Sequence, residues 1–214
     1  SAAEKAGRRD MSATDEKPAI VLASTSPSRR ALLANAGLVF TAKKPDVDER
    51  AVEAPYLKTG ATPAFLAALL SREKALAVSA RAENAFVIGG DQVMEFEGRP
   101  YSKPESREEA RDHLKRLSGK SHSLISAFAI ARDGEIVFEA AETARLTMRT
   151  LGEAAIDRYL ALLPDEVLFS SGVYQLEGPG VQLFSKIEGD FFTILGLPML
   201  TLLKALRKLG AIDE

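Results

Sequence analysis

Residues 19–37 read AIVLASTSPSRRALLANAG, and this stretch decides the class of fold. It begins with a short aliphatic run, Ala19 to Ala23, which is typical of a buried strand. Pro27 stands where proline is favoured, at the first position of a helix, and Gly37 is a typical helix end. The stretch therefore predicts a strand that passes through a hydroxyl-rich turn directly into a helix.

The alternation of strand and helix continues along the chain and then gives way to a hairpin. Pro63 opens a long amphipathic helix, and residues 85–90 form another buried strand that we expect to end at Asp91. Asp133 and Gly134 predict a hairpin turn. The further elements are strands at 39–43, 123–131 and 135–148, a charged loop at 44–50, and helices at 105–117, 152–162 and 197–209. We predict an α/β protein with a mixed sheet flanked by helices, in two lobes around a cleft.

The composition is that of an ordinary globular protein of 214 residues, with 46% hydrophobic and 27% charged side chains. The net charge of -2 argues against a nucleic-acid-binding protein, which usually carries a basic excess. No apolar run approaches the ~20 residues that span a bilayer, so we expect no membrane association. We expect residues 1–17 to be a disordered extension and residues 18–214 to form the folded domain.

The chain is poor in cysteine and histidine, which limits the kinds of metal site that it can form. The chain has no cysteine, which excludes disulfides, thiolate metal sites and a thiol nucleophile, and fits a reducing compartment such as the cytoplasm. His113 and His122 are its two histidines, so a histidine-rich metal centre is not expected. Carboxylates are the remaining ligands, and they favour Mg²⁺ or Mn²⁺ as a divalent metal cofactor.

The turn after the first strand has the features of an anion site. Residues 24–30 read STSPSRR, so hydroxyl donors, an arginine and the N-terminus of a helix come together. The segment lacks the Gly-Lys-Ser/Thr of a Walker loop. The competing interpretation is a plain helix cap followed by two solvated arginines.

Asp91 is the first candidate for an acid or base. It follows Gly89 and Gly90 at the predicted carboxyl end of a buried strand, where α/β sheets place their ligands. The glycines permit a close approach of backbone or substrate. The competing interpretation is a turn aspartate that bonds its own backbone.

Other charged residues are ambiguous when taken alone. Asp46, Asp48 and Glu49 lie in the charged loop, where such clusters are usually solvated, although a triphosphate enzyme needs carboxylates to hold its metal. Lys74 lies on the long helix, and taken alone it is expected to be a surface residue. Lys103 stands directly before a proline in a segment expected to be extended.

The ordered set of these segments resembles one family. LASTSPSRRALL, PDVDE, REKA, VIGGDQV, SKP, LSG and the closing GLP resemble the Maf family of nucleoside triphosphate pyrophosphatases, from about residue 21 to residue 206. The resemblance implies an elongated mixed sheet with a central cleft, related to the inosine triphosphatase architecture. It also implies a metal-dependent hydrolase that converts a nucleoside triphosphate to the monophosphate and pyrophosphate, a house-cleaning activity of nucleotide metabolism.

The resemblance also implies roles for particular residues. Asp91 resembles the family's catalytic aspartate, a proton acceptor, and Glu49 its acidic partner, which holds the metal or activates water. We expect the metal to lie between these two carboxylates. Arg29, Lys74 and Lys103 resemble the phosphate-binding cations, and Ser24 and Ser26 match the hydroxyls of the first loop.

Three positions distinguish branches of the family. One branch has Arg-Arg directly after Ser-Pro, a threonine after the catalytic aspartate and a glutamine before a late glycine. This chain has Ser28, Gln92 and Glu177 at the three positions. The branch associated with 7-methyl-GTP has Gln and Glu at the last two positions. Glu177 would accept hydrogen bonds from guanine N1–H and N2–H₂, whereas a glutamine suits pyrimidine edges. The resemblance thus favours 7-methyl-GTP or another guanine nucleotide as the substrate.

Two alternatives stay open at this point. The chain could prefer dTTP or UTP, or it could be a non-catalytic nucleotide-binding regulator of cell division, since the family name arose from septum formation. We expect a nucleoside triphosphate as the partner, no nucleic acid and no membrane, and we keep a homodimer open.

Overall fold

The computed structural model describes residues 17–214. The extension predicted for residues 1–17 lies outside the described residues except for Lys17, which is exposed and forms an ion pair with Asp213. Among the described residues, none of the helices has both the length and the apolar composition needed to cross a membrane.

The elements follow one another mostly as strand, helix, strand. The strands are β1 (Ala19–Ala23), β2 (Thr41–Ala42), β3 (Ala85–Phe96), β4 (Arg99–Pro100), β5 (Ser121–Arg132), β6 (Glu135–Met148) and β7 (Phe184–Glu188). The α-helices are α1 (Pro27–Asn35), α2 (Glu49–Lys58), α3 (Pro63–Ser79), α4 (Arg107–Leu117), α5 (Glu153–Leu160), α6 (Asp165–Leu168), α7 (Phe191–Leu195) and α8 (Met199–Lys208).

All seven strands belong to one mixed sheet, in the order β2-β1-β3-β5-β6-β7 with β4 beside β3. β1 is parallel to β2 and β3, whereas β3, β5, β6 and β7 pair in antiparallel fashion. Asp133 and Gly134 join β5 to β6 with positive φ angles of 50° and 80°, as a tight hairpin requires. The predicted mixed sheet flanked by helices and the predicted hairpin are confirmed.

The prediction that β3 ends at Asp91 is wrong. β3 runs on to Phe96, because it stays paired with β5 as far as the Glu95–Ser123 pair. What ends near Asp91 is the neighbouring strand β1, whose last pair with β3 is Ala23 with Gly89. Asp91 therefore lies in the middle of a strand, just beyond the carboxyl end of β1.

Three short helices, α2, α6 and α7, were not predicted from the sequence, and α6 has only four residues. The charged loop predicted at 44–50 ends early, because Glu49 begins α2 and the Asp48 side chain caps it. α2 buries none of its residues and contains Pro55, so it lacks the apolar periodicity that reveals a helix. α7 has five residues, too few for any periodicity.

Two of the apolar cores that β3 joins lie on either side of Asp91 along the strand. Ile88 packs in the core that includes Phe128, and Met94 packs in the core that includes Leu146. The polar residues of β3 thus lie at the boundary between the two cores. The division into two lobes stays a prediction.

Helix α3 lies unusually close to β3. A Cβ atom on Gly89 would stand 2.2 Å from the backbone oxygen of Ser71 and 2.6 Å from the backbone nitrogen of Ala75. Only glycine permits this contact between the two backbones. The close packing brings Lys74 of α3 within reach of Asp91 on β3.

Candidate functional site

A cavity of about 470 Å³ opens beside the carboxyl end of β1. Its wall includes every residue that the sequence analysis singled out for the site. These are Ser24, Ser26, Ser28, Arg29, Glu49, Lys74, Asp91, Gln92, Lys103 and Glu177. The three cations therefore converge on one cavity although they are far apart in sequence, whereas Arg30 is exposed and does not line it.

The turn between β1 and α1 is held by its own hydroxyl groups. The backbone N–H of Ser26 donates to Ser24 Oγ at 3.1 Å, and the backbone N–H of Arg29 donates to Ser26 Oγ at 3.3 Å. Ser26 is therefore the N-cap of α1. Residues 24–29 all line the cavity, so the predicted cap and the predicted anion site are one structure.

The Arg29 side chain is fixed between β3 and the residues after α7. Its Nε donates to the carbonyl of Gly196 at 2.9 Å, and a Cβ on Gly90 would stand 3.2 Å from this Nε. Burial lowers the pKa of Arg29, and the nearby carboxylates of Asp91 and Glu49 oppose that effect. An arginine stays charged under all these influences, so it supplies a fixed cation to the cavity.

Lys74 connects the two candidate catalytic carboxylates. Its Nζ lies 2.8 Å from Asp91 Oδ1 and 3.0 Å from Glu49 Oε1. The interpretation of Lys74 as a surface residue is wrong, since it is only 6% exposed and Asp91 only 7%. Such burial requires pairing, because an isolated buried charge is costly.

The pKa of Asp91 reflects this environment. Burial raises it, while the charges of Lys74 and Arg29 and the hydrogen bond from Lys74 lower it. Glu49 raises it a little further by repulsion. The carboxylate is thus a stronger base than an exposed aspartate, as proton abstraction from water demands.

Glu53 is a carboxylate of this region that the sequence analysis missed. Burial raises its pKa, and repulsion from Asp91 and Glu49 raises it further. It lies one helical turn after Glu49 on α2. The Glu49–Glu53 spacing would have revealed it only if α2 had been predicted.

The three carboxylates of residues 46–49 make three different contacts. Asp46 accepts from Arg81 Nη1 at 2.9 Å, away from the cavity wall, and Asp48 accepts from the backbone N–H of Ala51 at 3.1 Å. Glu49 alone of the three contacts Lys74. The loop therefore contributes one carboxylate to the cavity.

The acidic residues suit a metal that is bound mainly by substrate. Among residues 17–214, His, Asp and Glu side chains form no group of three or more able to hold a metal ion. Glu49 and Asp91 nevertheless both face Lys74 Nζ within 3.0 Å, so they lie close to one point. Mg²⁺ is commonly bound by one or two carboxylates together with substrate phosphates, and this pair fits that arrangement.

Away from the contacts of Lys74, the wall of the cavity is mostly neutral apart from Lys103 and Glu177. Gln92 is half-buried there, while Lys103 and Glu177 are exposed. Here the wall also contains residues that the sequence analysis did not identify, chiefly Leu124, Tyr174, Leu176, Ile194 and Leu195. Their side chains are ordinary core types, so nothing in the sequence separates them from core residues.

Tyr174 forms a hydrogen bond with a buried histidine. Its hydroxyl lies 2.6 Å from His122 Nε2, and burial lowers the pKa of His122 to about 4. The histidine is therefore neutral at physiological pH. This neutral pair contrasts with the ionic contacts around Lys74.

Comparison with known proteins agrees with the geometry. A family model described as Maf-like protein matches residues 19–209. The chain is 52% identical to a 7-methyl-GTP pyrophosphatase of Rhizobium meliloti (strain 1021) over 197 residues, which cover 92% of this chain and 99% of that protein. It is 48% identical to the protein of the same name from Brucella abortus biovar 1 (strain 9-941) over 194 residues, covering 91% and 98%. It is 49% identical to a nucleoside triphosphate pyrophosphatase of Nitrobacter hamburgensis over 200 residues, covering 93% and 97%. With the motifs, the fold and the cavity in agreement, the chain belongs to the Maf family.

Proposed function

We propose that this protein hydrolyses a nucleoside triphosphate to the monophosphate and pyrophosphate, with 7-methyl-GTP as the favoured substrate. The observation that carries the proposal is the position of Lys74 between Asp91 and Glu49, in the same cavity as Arg29. Cations that can bind phosphates and a carboxylate that can accept a proton thus lie together. The relatives named 7-methyl-GTP pyrophosphatase support both the activity and the base.

In the reaction that we propose, Asp91 accepts a proton from a water molecule whose oxygen attacks the α-phosphorus. The bond from this phosphorus to the oxygen that bridges it to the β-phosphate breaks, and pyrophosphate leaves with that oxygen. Arg29, Lys74 and Lys103 would bind the phosphate oxygens, where charge accumulates as the leaving group departs. Arg29 is already fixed by Gly196, so little reorganisation is needed.

We also propose that the reaction depends on Mg²⁺ or Mn²⁺. Bound to phosphate oxygens, such an ion would neutralise charge and polarise the phosphorus. Glu49 and Asp91 would hold it on the protein side. A ligand at this point must displace Lys74 from at least one of its two carboxylates, and Glu49 is the more accessible partner because its side chain is 51% exposed.

Base selection is assigned to Gln92 and Glu177, with Ser28 as a neutral position at the start of α1. A carboxylate accepts hydrogen bonds from the donor-rich edge of guanine. It also stabilises the positive charge that a 7-methyl group leaves on the purine. Thymine and uracil offer one N–H between two carbonyl acceptors, which suits this end of the cavity less well.

A substrate panel with detection of released pyrophosphate tests the proposal. 7-methyl-GTP, GTP, dTTP and UTP would be compared at equal concentration, with Mg²⁺, with Mn²⁺ and with a chelator. We expect the highest kcat/KM for 7-methyl-GTP and loss of turnover with the chelator. A maximum for dTTP or UTP would overturn the base assignment, and nucleotide binding without pyrophosphate release would favour the non-catalytic regulator. The cytoplasmic location and the homodimer stay predictions.

A further inference from the structure

The side-chain amide of Gln92 is held by three acceptors at once. Its Nε2 lies 2.9 Å from Ser126 Oγ, 3.0 Å from the carbonyl oxygen of Thr193 and 2.9 Å from that of Ile194, so its two hydrogens are shared among three acceptors. Ser126 stands directly opposite Gln92 in the β3–β5 pair, and the two carbonyls belong to α7. Ser126 and Thr193 are fully buried.

These contacts leave the amide a single orientation. Backbone carbonyls can only accept, so the end of the amide that faces them must be the NH₂ group. The hydroxyl of Ser126 has one hydrogen, which it donates to the carbonyl of Thr193 at 2.7 Å. Towards Gln92 it is therefore an acceptor as well. A rotated amide would place its oxygen against three acceptors.

The oxygen of the same amide is left for a ligand. Among residues 17–214, Gln92 Oε1 receives no side-chain hydrogen bond, and it is not among the buried polar atoms that lack a partner. Gln92 is half-buried and lines the cavity together with Ile194. The group that faces the cavity is thus an acceptor without a donor.

We propose that Ser126 is a positioning residue that, together with the carbonyls of α7, keeps Gln92 as an obligate hydrogen-bond acceptor towards the nucleobase. The inference rests on the proposed function, because it assigns the orientation of a base-reading group in that reaction. A free glutamine is two-faced and can serve a donor or an acceptor edge. Held in this way, Gln92 can serve only a donor.

The consequence is a cavity wall with two acceptor-only groups. Gln92 presents an amide oxygen, and Glu177 presents a carboxylate on the same cavity wall. A base edge with adjacent N–H donors, such as N1–H and N2–H₂ of guanine, satisfies both. The central N–H of a pyrimidine can satisfy one, and the flanking carbonyls then face an acceptor.

Ser126 could instead serve merely to tie β5 to α7, and a double-mutant cycle separates the two roles. The measured quantity is the ratio of kcat/KM for 7-methyl-GTP to kcat/KM for dTTP. If Ser126 acts through Gln92, its loss lowers this ratio in the wild type but not in a Gln92→Ala background. A purely structural serine would change the activity on both substrates alike, in either background.

The experiment compares the wild type, Ser126→Ala, Gln92→Ala and the double variant. Ser121→Ala is the matched control, since Ser121 is a half-buried serine of the same strand whose hydroxyl bonds Thr147 Oγ1 and does not line the cavity. We expect the ratio to fall roughly fivefold in Ser126→Ala, the equivalent of about one neutral hydrogen bond, and to stay unchanged in Ser121→Ala.

Two results would overturn the positioning role: an unchanged ratio in Ser126→Ala, or an equal fall in the Gln92→Ala background. If Ser126→Ala does not fold, Ser126→Cys provides the same test, because the thiol keeps the size but is a weak acceptor. A wild type that releases pyrophosphate from neither nucleotide would reject the proposed function, which is a different outcome.

Discussion

The two ends of the cavity hold their polar groups in opposite ways. At the charged end, Lys74 forms ion pairs with Asp91 at 2.8 Å and with Glu49 at 3.0 Å. At the neutral end, Gln92 is held by backbone carbonyls and Tyr174 by an uncharged histidine. The charged end can rearrange when a ligand arrives, because a new anion or cation can replace an ionic partner. The hydrogen bonds of Gln92 and Tyr174 at the neutral end are made within the protein and need no ligand.

The largest effect that we predict tests the chemistry of the charged end. Asp91→Asn keeps the size of the side chain but removes its basicity, so kcat should fall by about 10² to 10⁴ while nucleotide binding survives. Measuring kcat and Kd separately checks both statements. Asp112→Asn, an exposed aspartate on α4, is the control. An Asp91→Asn enzyme that turns over at the wild-type rate would remove Asp91 from the catalytic role.

The next prediction contrasts two lysines of the cavity. Lys74→Met leaves Asp91 buried without its closest cation, and we expect a loss of about 3 to 5 kcal/mol in the free energy of unfolding. Lys103→Met should weaken substrate binding with little change in stability, since Lys103 is exposed. Denaturant unfolding of both variants tests the contrast. Equal stabilities would mean that the Lys74 contacts contribute no net stabilisation.

A third prediction concerns pH and the neutral end. Burial lowers the pKa of His122 to about 4, whereas an unfolded histidine titrates near ~6.5. The unfolded chain therefore binds the proton more readily, and stability falls as the pH drops from about 6.5 to about 4, by up to ~3 kcal/mol. Above about 6.5 this contribution is constant.

The variant His122→Gln isolates that effect, because the glutamine can still form a hydrogen bond with Tyr174 but does not titrate. Its unfolding free energy should fall less steeply across the same pH window. The slopes measured for wild type and variant by urea unfolding give the comparison. Parallel slopes would show that His122 is already protonated, or accessible, in the folded protein.

The smallest predicted effect concerns base choice. Glu177→Gln removes an acceptor-only group, so the preference for 7-methyl-GTP over dTTP should narrow by roughly fivefold. Glu166→Gln, an exposed glutamate on α6 outside the cavity wall, should leave the preference as it is. An unchanged preference in Glu177→Gln would place Glu177 outside base selection.

The same contrast explains how much of the candidate site could be predicted from the sequence. The charged end is built from side chains in short motifs, such as Ser24 to Arg29 and Gly89 to Asp91. Its residues could therefore be predicted from the sequence. The neutral end depends on carbonyls of Thr193 and Ile194. Every residue has a carbonyl, so no residue type marks the ones that matter.

The fold shows a similar division. Strands and helices with a clear apolar pattern, such as β1 and α3, could be predicted together with the β5–β6 hairpin. Helix α2 could not, because it buries none of its residues. The continuation of β3 beyond Asp91 was missed because Asp91, Gln92 and Glu95 interrupt its apolar run, and pairing with β5 outweighs that local signal.

Gly89 also sets the spacing between α3 and β3 on which the charged end depends. The absence of a Cβ lets α3 approach β3 until a methyl group would lie 2.2 Å from the Ser71 carbonyl. Any larger residue there must push the helix outward, and Lys74 travels with it. A substitution at this interior position would therefore change the distance between Lys74 and Asp91 without altering either residue. An activity assay would then report the packing change as a defect of the active site.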